Sequence, residues 1–474
     1  MRGECKKGIV LAIIIMFFIT NFSSAQARHL LYENGDQEVS KSIYNEKTTR
    51  SDKKWTFMAY LDGDYNDLQS DVFAIINDME LVGSTSDVNI IVQADDYNGW
   101  SGQTRRYYVE HDDNPAEHDR NPENITSPLA NIDTSEKNMG DPQTLIDFVC
   151  WTIDNYPAEH YSLTLFDHGL GWKGICFDQT SNFESIDTNE LKYAMTMISN
   201  YSGRNLDILI LDACMMGMME VLYPIREYVS IAISSEDRTA FGDISYKGIL
   251  ENLTDQPLVT PSQFAQKTVD TSYYAINDLH THEYFGINMD KIEEITEVVN
   301  ELVQVLKDNM PPNFMIKEAY SYSLCWEGGT NSAHPHDIRR FAEKISDLVY
   351  NTDIKNKANE LMNTIDASVI RPQEGNNSYI DPRLNGIAIY FPPKKSDFEA
   401  AYTQLEFANN SQWDEFLSGY YTQAIKSAQQ TILVKILALK NLRIDKIIGD
   451  FRSLILSIIN YITQKQQQNI VVKT

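Results

Sequence analysis

Trp55–Leu61 is an apolar run of strand length, and the polar turn Asp62-Gly63-Asp64 closes it. From Leu68 the spacing changes. Val72, Ile75, Ile76, Met79 and Val82 recur at helical intervals, which predicts a helix over Leu68–Val82 that Gly83 stops. Val88–Ala94 and Arg105–Val109 read as further strands, followed by a loop rich in Asp, Asn and Pro from Asp112 to Asp141. Asp141 is placed to cap a helix, and Pro142 is tolerated at its first position because the N–H it lacks would have no intrahelical partner. That helix is expected to reach about Asn155.

Tyr161–Phe166, Leu206–Leu211 and Ile231–Ser234 are continuous apolar runs, as expected of strands buried on both faces. Helical patterns at Thr188–Ile198 and around Met215–Leu222 lie between them. Strand and helix alternating on this scale imply an α/β sandwich around a largely parallel sheet, placed at residues 55–255. Residues 256–423 continue as an α/β extension. Helices are expected at Pro261–Asn277, Lys291–Lys307 and Asp337–Tyr350, and strands at Tyr284–Met289 and Gly386–Phe391.

The two ends read differently. Arg2, Lys6 and Lys7 precede the apolar stretch Ile9–Thr20, and Ala25-Gln26-Ala27 supplies a small-x-small cleavage pattern. Residues 1–27 are therefore expected to be a cleaved export signal, which makes the protein secreted or periplasmic. Residues 28–54 are polar with few apolar anchors and read as a leader or pro-segment. Residues 424–474 form a basic apolar tail, with helical spacing and no charge-free span of membrane length. A helical hairpin packed on the body is the preferred reading for that tail, over a membrane-surface helix or an atypical extension.

The charge of -27 excludes general nucleic-acid binding, which needs a positive surface, and suits solubility outside the cell. Beyond the export signal the cysteines are Cys150, Cys176, Cys214 and Cys325, too few for a disulfide scaffold.

Two of the buried strands end in reactive residues: Leu163-Thr164-Leu165-Phe166-Asp167-His168-Gly169 and Ile208-Leu209-Ile210-Leu211-Asp212-Ala213-Cys214. Ligands of an open α/β sheet bind outside the carboxyl ends of its strands. A His and a Cys at neighbouring ends can therefore share a crevice, where the imidazole takes the proton of the thiol nucleophile. Gly169 leaves its N–H open to a carbonyl oxygen, and the N–H of Cys214 is a second oxyanion donor. Cys214 is also expected to open a helix whose dipole favours a thiolate. A core histidine and an inert buried cysteine is the competing reading for either residue alone.

These two blocks resemble the paired signature of the caspase–gingipain–legumain clan of cysteine peptidases. The segments WTFMAYLDGDYNDLQ (55–69), NMGDPQTL (138–145), HGLGWKGICFD (168–178), DACMMG (212–217) and SSEDRTAFG (234–242) resemble the clostripain family within it. The resemblance runs from about Trp55 to Tyr421 and implies a caspase-like three-layer α/β/α sandwich. It further implies His168 as general base, Cys214 as nucleophile, and Asp212 as the acid that selects a basic P1 residue. Asn66 and Thr239 fall where the family has further S1-lining residues, Asn66 after a turn that is one residue longer than usual. The function implied is cleavage of polypeptides after Arg or Lys through an acyl-enzyme on Cys214. The alternatives are the same dyad with a different P1 preference, or a catalytically silent extracellular binding protein.

The chemistry asks for no cofactor, but the resemblance implies calcium dependence without naming ligands. Asp62, Asp64 and Asn66 alternate like an EF-hand loop, yet Asp67 stands where that loop needs glycine and Phe73 where it needs glutamate. His280-x-His282 and His334-x-His336 lack the companions of a zinc site. For self-processing after a basic residue, Arg204 is the expected internal site, ahead of Lys173 and Lys192. Arg50, Lys53 and Lys54 are the expected sites in the leader.

Overall fold

The computed structural model describes residues 53–97, 102–272, 284–325, 333–372, 383–441 and 455–460. Eight strands form the main sheet. In chain order they are β1 (Lys53–Gly63), β2 (Val88–Asp96), β3 (Arg105–Tyr108), β4 (Ala158–Phe166), β7 (Leu206–Asp212), β8 (Val229–Ser234), β9 (Phe285–Asn288) and β11 (Val369–Ile370). Their spatial order is β11-β9-β8-β7-β4-β1-β2-β3. The five central strands, β8-β7-β4-β1-β2, run parallel, while β3, β9 and β11 pair antiparallel at the flanks. The hairpin β5 (Ile175–Asp178) and β6 (Glu184–Ile186) forms a separate small sheet.

Successive residues of a strand face opposite ways, so a sheet covered on both sides buries both sets. In β1, Met58 and Tyr60 enter one core and Phe57, Ala59 and Leu61 the other. The second core is closed by α1 (Gln69–Glu80), α5 (Tyr246–Asp255) and α6 (Pro261–Ser272). The first is closed by α2 (Pro142–Asn155), α3 (Thr188–Ser202), α4 (Met219–Ile225), α7 (Ile292–Asp308), α9 (Ile338–Leu348) and α10 (Thr352–Ser368). This is the three-layer, caspase-like sandwich expected. Asp141 does cap α2, its side chain accepting from the N–H of Gln143. Between α7 and α9 lies α8 (Asn313–Tyr322).

The sheet does not stop at residue 255. Phe285–Asn288 pairs with β8, and Val369–Ile370 pairs with β9, so the extension supplies two strands of the same sheet. The strand expected at Gly386–Phe391 is β12 (Ala388–Tyr390), paired antiparallel with β10 (Pro335–Asp337). The first of the two cores draws on residues from Met58 to Tyr421, so it joins the two halves of the chain.

Two boundaries move. Lys53 and Lys54, inside the expected leader, already belong to β1, and Lys54 is ion-paired with Glu159. The expected break at residue 424 falls inside the helix Trp413–Asn441. The export signal and the rest of the leader lie outside the described residues, as do 442–454 and 461–474 of the tail. Among the described residues no helix is long and apolar enough to cross a membrane.

Candidate active site

Phe166, the last residue of β4, is in register with Asp212, the last residue of β7. The segments that follow, Asp167-His168-Gly169 and Ala213-Cys214, therefore leave the sheet side by side at its carboxyl edge. Gly169 shows how closely they meet. A Cβ built there would lie 2.3 Å from the Cys214 carbonyl oxygen and 2.9 Å from its backbone nitrogen. Only a residue without a side chain lets the two backbones approach so far. Gly169→Ala is accordingly expected to destabilise the fold by about 1–3 kcal/mol, the usual cost of overpacking. A wild-type thermal midpoint for that variant would show the two segments free to part.

His168 stands half-exposed over the loop that follows β1. Its Nε2 is 3.3 Å from Asp67 Oδ1, and the Tyr65 ring meets its ring edge-on at 4.6 Å. The preceding Asp167 is buried and accepts a hydrogen bond from the Phe177 N–H, which ties the histidine's backbone to β5. Neither Asp67 nor Tyr65 was expected to serve the site. Their only sequence signal is adjacency to Asn66 in the long polar turn.

Cys214 lies in a turn, not at a helix start. Helix α4 begins at Met219, is seven residues long and contains Pro224, so its dipole is not directed at the sulfur. The chain instead uses residues 215–217 to bond to the loop after β8. The Met215 N–H donates to Asp237 O and the Gly217 N–H to Ser235 O, both at 2.8 Å, and Met215 takes a φ of 61°. That left-handed conformation is costly for a residue with a side chain. The sulfur is held by one residue of the facing loop. Thr239 presents its N–H at 3.3 Å and Oγ1 at 3.7 Å, and its carbonyl accepts from the thiol at 3.6 Å.

Asp212 is 6% exposed, and both carboxylate oxygens accept hydrogen bonds from buried tyrosines: Tyr246 to Oδ2 at 2.6 Å and Tyr284 to Oδ1 at 2.5 Å. Burial pushes its pKa up to about 6, and the two phenols oppose that shift. A carboxylate has about four acceptor positions, so two phenols leave capacity for a cation. The Thr239 side chain opposes the upward shift of the Tyr284 phenol, so the partner of Asp212 also feels the residue that holds the sulfur. Asn66 is exposed on the Tyr65–Asp67 turn, and its N–H donates to Gln179 Oε1 at 3.3 Å. The structure thus sets Gly169 against the Cys214 backbone and Thr239 on its sulfur, places His168 and Asp212 on the adjoining strand ends, and has Asn66 beside Asp67, the partner of His168.

The other expectations divide. All four cysteines are free. His336 is fully buried, holds a hydrogen bond at Nδ1 with Ser323 Oγ at 3.0 Å, and burial lowers its pKa to about 3. His280 and His282 lie outside the described residues. The one group of potential cation ligands among the described residues is Asp64, Asp95, Glu136 and Asp178. Lys173 is ion-paired with Glu399 in a short 3-10 turn, and Lys192 with Glu406 inside α3. Arg204 is exposed in the turn before β7, but its guanidinium bonds Asp207 and the Glu159 carbonyl.

Sheet order, the Gly169–Cys214 contact and the His and Cys on adjoining strand ends define a caspase-like cysteine-peptidase framework. The chain belongs to the clostripain family, whose family model matches residues 59–425. Clostripain of Hathewaya histolytica is 29% identical to it over 216 residues. That match covers 41% of this chain and 40% of the relative, so the chain spans under half of that protein's length. A secreted C11 cysteine protease from Bacteroides thetaiotaomicron, solved with an irreversible peptide inhibitor, superposes with a TM-score of 0.56. It is 15% identical, and the match covers 76% of this chain and 99% of that one. An inactive zymogen C11 protease from Parabacteroides distasonis gives a TM-score of 0.55 at 18% identity, over 77% and 99%. At such identities the likeness establishes the fold.

Proposed function

We propose that this chain is a secreted cysteine endopeptidase that cleaves polypeptides after Arg or Lys, with Cys214 as nucleophile and His168 as general base. The observation that carries this reading is the backbone contact of Gly169 with Cys214 at the ends of paired strands, in a chain of the clostripain family.

The Cys214 sulfur gives up its proton to His168 and attacks the scissile carbonyl carbon. The resulting oxyanion is received by the N–H groups of Gly169 and Cys214. Imidazolium then protonates the leaving amine as the C–N bond breaks and a thioester forms on Cys214. Water, deprotonated by His168, attacks the thioester and releases the carboxylic acid and the thiol. A carboxylate only accepts hydrogen bonds, so Asp67 favours the tautomer with the proton on Nε2 and leaves Nδ1 basic. No cofactor takes part in these steps.

Asp212 supplies the anion for a basic P1 side chain, a pairing that the partial relative named clostripain supports. Thr239 and Asn66 line the same pocket. Self-processing after a basic residue is not favoured inside the fold, because Lys173, Lys192 and Arg204 are all paired. Removal of the leader after Arg50 is the simpler route.

Labelling tests the assignment. A chloromethyl ketone carrying Arg or Lys is expected to leave one covalent adduct, on the peptide that contains Cys214. An adduct on Cys150 with Cys214 unmodified, or none in the folded chain, would refute it.

A further inference from the structure

The turn that carries Cys214 rests on a loop whose own support comes from the far half of the chain. The Met215 and Gly217 N–H groups donate to Asp237 O and Ser235 O, and Thr239 of the same loop touches the sulfur. Glu236 lies between those two carbonyl groups, just beyond β8, and its side chain is fully buried. The loop thus turns a carboxyl inward while its backbone holds the nucleophile's turn. Glu236 reaches the segment before β12. Its Oε1 accepts from the N–H groups of Asn385 at 2.5 Å and Gly386 at 2.8 Å, and its Oε2 from the Cys325 thiol at 3.7 Å. Gly386 can present that N–H because it has no side chain. Its φ is 99°, and a Cβ there would lie 2.9 Å from the Phe285 Cβ. The same segment then reaches the nucleophile's turn, where the Ala388 N–H donates to Gly217 O at 2.8 Å. Residues 385–388 therefore hold both partners, the loop through Glu236 and the turn through Gly217.

The surroundings favour an uncharged carboxyl. Among the described residues its hydrogen-bond partners are two backbone amides and a thiol, none of them a cation. Asn385 also gives its side-chain amide to Asp337 Oδ2 at 2.8 Å, so a second buried carboxyl stands beside the first. Two buried carboxyls in one place do not both ionise without a large penalty. Burial, then repulsion from Asp337, raises Glu236 well above the usual carboxylate range, and burial raises Asp337 to about 6. The other titratable or charged groups that face the pair are the Cys325 thiol, Asp237 and Arg340. Around neutral pH the two carboxyls therefore keep one proton between them.

We propose that Glu236 is a positioning residue for Cys214: its buried carboxyl moors the Ser235–Thr239 loop, and through it the nucleophile's turn, to Asn385 and Gly386 of the C-terminal extension. The catalytic consequence rests on the peptidase reading, whereas the mooring does not. An uncharged carboxyl accepts both N–H groups on one oxygen and keeps a proton on the other, a pattern that glutamine reproduces and alanine does not. Ionisation places a second buried charge beside Asp337 and loosens the loop. Because the pKa of Glu236 is raised, this support is present at low and neutral pH and is lost as pH rises through that value.

The test compares the full chain as Glu236→Ala, as Glu236→Gln and, to control for general weakening, as Ile365→Val in the core face of α10. An Arg or Lys amide substrate gives kcat and KM across pH. Hydrogen exchange read by mass spectrometry follows the peptide that spans Met215 and Gly217. Glu236→Ala is expected to lower kcat about 10- to 100-fold, the effect of a displaced reacting group, and to speed exchange of that peptide about 10-fold or more. Glu236→Gln is expected to restore most of both and to lack the alkaline decline in kcat that the unmodified chain shows. Ile365→Val is expected to lower the thermal midpoint and leave both readings unchanged. Exchange needs no turnover, so it tests the mooring even in protein that hydrolyses nothing, the outcome that would overturn the peptidase reading instead. Unchanged exchange in Glu236→Ala, an equal loss in Glu236→Gln, or the same faster exchange in Ile365→Val overturns the proposal. Should the alanine variant not fold, a glutamine variant with the unmodified chain's alkaline decline does so.

Discussion

Cys214→Ala and His168→Ala are each expected to bring amide hydrolysis to assay background while the chain keeps its fold. Removing one member of a nucleophile–base pair costs about as much as removing both, because neither acts alone. Losses on the order of 10⁴–10⁶-fold are usual for such pairs. Neither side chain belongs to the buried core: the His168 side chain is 38% exposed, and Cys214 is half-buried in its turn, in contact with Thr239. The check is kcat on an Arg or Lys amide substrate alongside circular dichroism. Substantial turnover by a folded Cys214→Ala protein removes that residue from the chemistry.

The second large effect is expected of Asp212→Asn. A charge-assisted hydrogen bond contributes about 1.5–3 kcal/mol, and 1.4 kcal/mol is a factor of ten. Loss of the anion should lower kcat/KM for a basic P1 about 10- to 100-fold, and much less for a neutral P1. The amide keeps the carboxylate's shape and can still hold Tyr246 or Tyr284. Acidity should reproduce the effect in the unmodified enzyme. Burial raises Asp212 to about 6, so the anion is present above that pH and lost below it. Recognition of basic P1 therefore weakens as pH falls through about 6, and the Asn variant lacks that limb of the profile. Equal losses for basic and neutral P1 would make Asp212 a positioning residue for Cys214.

The buried strands were legible because a strand covered on both faces is apolar without interruption, as Leu206–Leu211 and Tyr161–Phe166 are. His168 and Cys214 were legible for the same reason: each directly follows such a run. The rest is tertiary. Tyr246 and Tyr284 reach Asp212 from distant segments, with no local mark of it. The pattern around Met215 reads as helix, but backbone bonds to Ser235 and Asp237 hold residues 215–217 in a turn. The alternation of Asp62, Asp64 and Asn66 does not make a self-contained EF-hand loop, whereas Asp64 lies with Asp95, Glu136 and Asp178 from three other segments. β5, β6 and β11 are four residues or fewer and carry too little pattern to see.

The strand order also sets when activity can arise. β1 pairs with β4 and β4 with β7, so each central pairing closes a long stretch of chain before any hydrogen bond is gained. Sheets of this kind have high contact order and fold slowly. The histidine, the cysteine and the Thr239 loop come within reach of one another only after those closures. A chain that has not yet made those pairings therefore has no assembled site. The site is thus a late product of folding and not a property of any one segment.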